Sequence, residues 1–221
     1  RIPMCKVLRV LGPSDDPLTD HKGILAKYGL NANFPEKVNL ESQNSPEKVS
    51  AQDIIGRKDI RKIFTLTIDP LDARDFDDAL SIREQQNGEC EIGVHIADVS
   101  HYVKTGSALD REANKRGNST YLVGEVVPML PHRLSNGICS LVEGEDRLVK
   151  SVFFTFSEKG ELRNSKISES VIFSDKRLTY EQAGLFLKEN DISKIRSAKP
   201  PPSRYSGNPG KPLDQLDDTL I

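Results

Sequence analysis

The chain has 221 residues, 36% hydrophobic and 29% charged, with a formal net charge of −2. That length holds one substantial core, or one domain and part of another, and the composition excludes a disordered chain and a membrane-embedded bundle, since no apolar run approaches a membrane span. Cys5, Cys90 and Cys139 are odd in number, far apart and without Cys-x-x-Cys spacing, which excludes a zinc site or disulfide framework and fits a reducing cytoplasm.

The opening Arg1-Ile-Pro-Met-Cys carries no initiator Met and no signal pattern, and it reads as a piece of something longer. Met4 to Leu11 alternates apolar and basic residues and stops at Gly12-Pro13-Ser14, the pattern of a last strand of a preceding domain. A polar connector follows to Gly56, with a short helix predicted over His21 to Tyr28 and another opening at Ser45-Pro46-Glu47, where Pro takes the first helical position. Ile63-Phe-Thr-Leu-Thr-Ile68 is a compact strand ending directly on Asp69. Ala79 to Ile82 and Cys90 to Ala97 flank Gln86-Asn87-Gly88, a strong hairpin signal. Ser107 caps a helix over Leu109 to Arg116, with Asp110 at the capping-box position and Gly117 as terminator.

Val149 to Phe156 and Leu162 to Phe173 form a second hairpin around Glu158-Lys159-Gly160, and Thr179 caps a helix from Tyr180 to Lys188. Residues 197–212, with Pro-Pro-Pro, Gly and Ser, suit a flexible loop, and Leu213 to Ile221 starts another helix. Strands and helices mix without regular βαβ alternation, so the fold class is α+β, a mixed or antiparallel sheet with flanking helices. Arg57-Lys58 with Arg61-Lys62, and Arg111 with Lys115-Arg116, read as solvated faces, with phosphate contact as the alternative.

The densest chemistry lies in Asp69-Pro-Leu-Asp-Ala-Arg-Asp-Phe-Asp-Asp78, where five carboxylates and one guanidinium give a net charge of −4. Carboxylates this close repel one another unless a cation or a wide solvent shell offsets the repulsion. A calcium loop of the EF-hand type fails, because Arg74 stands where Gly is required and Leu80 where a bidentate Glu is required. A merely solvated turn is disfavoured, because the loop follows a buried-type strand and interleaves Phe76 and Ala79. The spacing of Asp69, Asp75, Asp77 and Asp78 instead sends carboxylates toward a common point, where a hard ion would serve phosphodiester hydrolysis. His95 and His101 read as core or structural hydrogen-bonding groups, and no nucleophilic Ser or Cys arrangement is present.

Thr67-Ile-Asp-Pro-Leu-Asp-Ala-Arg-Asp-Phe-Asp-Asp-Ala79 is followed by Val94-His-Ile-Ala-Asp-Val-Ser-His-Tyr-Val103 and by Leu109-Asp-Arg-Glu-Ala113 with Arg116-Gly-Asn-Ser-Thr-Tyr121. Val127-Pro-Met-Leu-Pro131 and Leu134-Ser-Asn-Gly-Ile-Cys-Ser-Leu141 come next. In this order the motifs resemble the ribonuclease II/ribonuclease R family, in wording closer to ribonuclease R. The resemblance implies that residues 57–221 are the N-terminal part of an RNB-type catalytic domain, 13–56 a connector, and 1–12 the tail of an OB-type cold-shock domain. It further implies a processive 3′→5′ exoribonuclease that hydrolyses single-stranded RNA from its 3′ end to 5′-nucleoside monophosphates. The cofactor would be Mg²⁺, with Mn²⁺ the alternative, and neither DNA nor a membrane is an expected partner.

By the same resemblance Asp69, Asp75, Asp77 and Asp78 fall on the family's catalytic aspartates, with Asp69, Asp77 and Asp78 as metal ligands and Asp75 supporting the metal shell. Tyr121 falls on the position that stacks against the 3′-terminal base, and Tyr180 on a tyrosine near the ribose. The family's catalytic domain extends beyond the stretch matched, so little processive activity is expected of these residues alone. The competing expectation is a non-catalytic RNA- or metal-binding module of the same family.

Overall fold

A computed structural model describes residues 4–85, 87–122, 125–189 and 192–197. Residues 4–11 take no regular structure, and residues 4–10 are exposed, so the strand expected there does not form. Alternation alone gives a strand no partner, and among the described residues none pairs with it. Helix α1 (Pro17–Lys27) begins before His21, because the Asp16 side chain accepts from the Leu18 N–H at 2.9 Å and Pro17 fills the first turn. No helix opens at Pro46. Pro35 instead precedes α2 (Glu36–Gln43), and a Ser50/Asp53 capping box starts α3 (Ala51–Ile54).

The sheet then builds from β1 (Lys58–Asp59), β2 (Thr65–Asp69), β3 (Asp78–Glu84) and β4 (Cys90–Ala97). After it come the short α4 (Val99–Tyr102), α5 (Ala108–Arg116), and a two-stranded ribbon of β5 (Thr120–Leu122) and β6 (Glu125–Val127). Ser107 caps α5 as expected, while the Asp110 carboxylate accepts from the Gly106 N–H. A wide helical turn at Leu134–Ile138 leads into the hairpin β7 (Asp146–Phe156) and β8 (Leu162–Phe173). Then follow β9 (Lys176–Thr179), α6 (Tyr180–Lys188) and α7 (Ile192–Ser197). The loop expected at 197–212 and the helix from Leu213 lie outside the described residues, apart from Ser197, which ends α7.

The seven-stranded sheet has the order β1-β8-β7-β4-β3-β2-β9. Its central pairs are antiparallel, while β1–β8 and β2–β9 are parallel, which makes it the mixed sheet of an α+β fold. One face carries Thr65, Thr67, Asp69, Ala79, Ser81, His95, Ala97, Val149, Ser151 and Phe153, all buried, and the core of Ile60, Phe76, Leu141 and Ile172 packs there. A second cluster of Val38, Leu109, Leu130, Leu134, Ile138 and Cys139 joins α2, α5 and the Leu134–Ile138 turn.

Among the described residues the opposite face is capped at one end alone, where Leu178 and Ile195, with Ala183 and Phe186, cover Leu66 and Ile68. Across the rest of it Leu66, Leu80, Val94, Val152 and Ile167 stand in register on five strands. Leu80 (38% exposed), Ile82 (59%), Ile96 (48%) and Ile167 (76%) are open to solvent. A water-facing antiparallel sheet normally turns polar residues outward, so this apolar face is unusual.

Candidate active site

Asp69 is the last residue of β2 and Asp78 the first of the antiparallel neighbour β3, so both sit on one end of the sheet. The loop between them is pinned on two sides. The buried Ser140 hydroxyl accepts from the Phe76 N–H at 2.9 Å and donates to the Arg74 carbonyl at 3.1 Å, and the Leu141 N–H donates to the Phe76 carbonyl at 2.8 Å. Arg147, itself buried, donates from Nε to the Ser140 carbonyl at 2.7 Å and so fixes the clamp. On the far side the Arg177 guanidinium donates to the Pro70 and Leu71 carbonyls at 2.8 and 2.7 Å and stands 4.9 Å from the Phe76 ring centre. Phe76 is buried in the core, as its position between charged residues suggested.

The carboxylates lie in distinct surroundings. Asp69 is 9% exposed, and its Oδ2 is buried with no hydrogen-bond partner. Burial pushes its pKa to about 6, the charges of Asp78 and Asp75 push the same way, and the Thr67 hydroxyl and Arg177 oppose the shift. Asp77 reaches solvent, yet the protein packed around it, and then the charges of Asp75 and Asp78, raise its pKa as well. Among the described residues no three His, Cys, Asp or Glu side chains are gathered closely enough to hold a metal ion. The tetrad therefore shares one loop and one electrostatic field, with like charges standing apart.

The two tyrosines approach from distant segments. The Tyr121 hydroxyl, on β5, donates to Asp75 Oδ2, and this contact, with burial second, lifts the phenol to about 12. Tyr180 opens α6 directly after Thr179, which pairs with Asp69 across the parallel β2–β9 ladder. Its side chain is 60% exposed at that edge. The Thr179/Gln182 capping box fixes where the helix begins, and with it where Tyr180 stands.

Other expected groups are structural. His95 is fully buried, Nδ1 on the Ser151 hydroxyl at 2.8 Å and Nε2 on the Ser81 hydroxyl at 2.9 Å. His101 bridges Asp53 and Arg57, at 3.1 and 3.3 Å. In the basic clusters Lys62, Arg111 and Lys115 are exposed, while Arg57, Lys58, Arg61 and Arg116 are half-buried. Arg57 pairs with buried Asp98 at 2.7 Å, Arg61 with Asp59 and Asp146, and Arg116 with Glu112 while lying over the Phe34 ring.

Sequence reasoning assigned no role to Ser140, Arg147 or Arg177. Ser140 lies inside the Leu134–Leu141 motif, but a hydroxyl that clamps a loop 64 residues away leaves no periodic trace.

An unpaired, buried Asp69 oxygen and a donor set made only of oxygens fit a hard divalent cation. The profile of the RNB domain matches residues 57–218. Ribonuclease R of Thermotoga maritima is 50% identical over 200 residues, which is 90% of this chain and 28% of that protein. The solved structure of Mycoplasma genitalium RNase R in complex with ribose methylated single-stranded RNA superposes with a TM-score of 0.74 at 30% identity, covering 85% of this chain and 30% of that one. Yeast Ssd1, a pseudonuclease, shares the fold with a TM-score of 0.70 at 23% identity, covering 84% of this chain and 24% of that one. The chain thus spans under a third of the length of these relatives.

Proposed function

The chain belongs to the RNB domain family, and from that premise we propose that it carries the catalytic carboxylates of a processive 3′→5′ exoribonuclease. In this reading residues 57–221 are the N-terminal part of the catalytic domain, 13–56 a connector and 1–12 the tail of an OB-type domain. The substrate is single-stranded RNA entered at its 3′ end, and the products are 5′-nucleoside monophosphates. The observation that carries the reading is the sheet end itself: Asp69, with its buried unpartnered oxygen, shares that end with Asp78 and is in register with the residue before Tyr180, while the Tyr121 hydroxyl donates to Asp75.

Asp69, Asp77 and Asp78 would hold Mg²⁺ or Mn²⁺, with Asp75 supporting the shell, and the ion would supply a water of lowered pKa and neutralise phosphate charge. The chain's own residues do the rest. The Ser140 and Arg177 clamps hold the carboxylates in place, which keeps reorganisation small. Tyr121 offers an exposed ring on which any base can stack, so digestion is independent of sequence. Tyr180 faces the ribose, where a 2′-hydroxyl tells RNA from DNA. No helix among the described residues is long and apolar enough to cross a membrane, and the three free cysteines suit a reducing cytoplasm.

Replacing Asp77 by Asn tests the reading. With Mg²⁺ or Mn²⁺, wild-type chain is expected to release nucleoside monophosphates from a uniformly labelled single-stranded RNA, slowly because the match covers under a third of the relatives' length. Asp77→Asn is expected to lose at least about a hundredfold in rate while RNA affinity stays within about twofold. Rapid processive release by wild type would refute the expected slowness. If wild type and Asp77→Asn release monophosphates at the same rate, the tetrad does not carry hydrolysis and the second reading, a non-catalytic binding module, takes over; the shared fold of the pseudonuclease Ssd1 keeps it in view.

A further inference from the structure

Tyr121 belongs to a short ribbon outside the main sheet, and its side chain is 63% exposed, so packing does little to hold its ring. What it does hold is a carboxylate: its hydroxyl donates to Asp75 Oδ2 across 46 residues of sequence. The Asp75 main chain is already fixed, since its neighbours Arg74 and Phe76 are both bonded to the Ser140 hydroxyl. The direction of the Asp75 carboxylate is therefore left to its side-chain partner. That direction matters to the whole loop, because the Asp75 charge acts on both Asp69 and Asp77. A hydrogen bond to an ionised group is about twice as strong as a neutral one, enough to set a side-chain rotamer on an exposed loop.

We propose that Tyr121 is a positioning residue as well as a stacking platform: its hydroxyl orients the Asp75 carboxylate and thereby sets the strength of the divalent-cation site. The inference rests on the exoribonuclease reading for the location of the ion, and it separates two roles of one side chain. The ring serves the base, and the hydroxyl serves the carboxylates. Phenylalanine keeps the first and deletes only the second.

The test compares the 221-residue chain with Tyr121→Phe and Tyr121→Ala by Mn²⁺ calorimetry, by RNA anisotropy in metal-free buffer, and by hydrolysis, with circular dichroism to check the fold. Tyr121→Phe is expected to weaken Mn²⁺ binding about tenfold and to lower kcat by a similar factor. Its KM and metal-free RNA affinity stay within about twofold, because the stacking face is intact. Tyr121→Ala is expected to show the same metal defect and, in addition, weaker RNA binding. Equal or tighter Mn²⁺ binding by Tyr121→Phe overturns the inference, as does a wild type that binds no Mn²⁺. Hydrolysis by wild type that Asp77→Asn leaves unchanged overturns the exoribonuclease reading alone, and the calorimetry still decides the role of the hydroxyl.

Discussion

His95 illustrates how much of one residue's chemistry its burial decides. It is fully enclosed, bonded to two serine hydroxyls, and burial, with the charge of Lys58 second, depresses its pKa to about 4. The unfolded chain takes up a proton near the ordinary value of 6.5, whereas the folded chain resists until about pH 4. This group's contribution is therefore fully present above pH 6.5 and is lost as pH falls toward 4. At 1.36 kcal/mol per unit the loss sums to about 3 kcal/mol. His95→Gln keeps a donor and an acceptor for the two serines. Its urea-unfolding free energy, subtracted from wild type across pH 7 to 4, is expected to remove that slope; a difference that does not change with pH would contradict the assignment. At the same scale the crowding of carboxylates in one loop and the core place of Phe76 were legible in the sequence, because both are local properties. It gave no hint of Ser140, whose importance lies in the two main-chain atoms it bridges.

Elements announced by a cap or a tight turn appear where expected. Ser107 starts α5, Thr179 starts α6, and the Asn87-Gly88 turn joins β3 to β4. The errors came where two signals of equal kind competed. Pro35 and Pro46 both resemble helix openers, but the Ser50/Asp53 box claims the region after Pro46. The pairing of β9 beside β2 was not legible either, because its partners, Leu66 with Lys176 through Asp69 with Thr179, lie 110 residues apart. Strand β4 also shows why one glycine is required. A methyl group at Gly93 would come within 2.5 Å of Ser81 Oγ and 2.7 Å of the His95 ring. Gly93→Ala is expected to cost about 1–3 kcal/mol by denaturant unfolding, and Ser81→Gly in the same chain to recover part of it. Undiminished stability in the single variant would mean the strand shifts freely.

At the scale of the whole molecule, the outward sheet face is the exposed apolar surface with the plainest consequence among the described residues. Leu80, Ile82, Ile96 and Ile167 offer water an apolar surface of the kind that captures hydrophobic dyes and drives association. Ile82→Lys with Ile167→Lys is expected to abolish most of the wild-type ANS fluorescence and reduce light scattering on concentration, with a melting temperature nearly unchanged. Dye binding that survives both changes would place the sticky surface elsewhere. The α+β class was legible from the mixture of patterns, but the exposure of this face was not, since a strand pattern places Ile82 and Ile96 in a hairpin without saying what covers them.

The long-range β2–β9 ladder has a consequence for how the centre comes into being. During synthesis the β3–β4 hairpin can close soon after Ala97 leaves the ribosome, because its partners are neighbours in the chain. The strand bearing Asp69 keeps a free edge until Thr179 has emerged, and only then do Arg177 and Tyr180 take their places. The acidic loop is thus made about a hundred residues before the strand and helix that complete its surroundings.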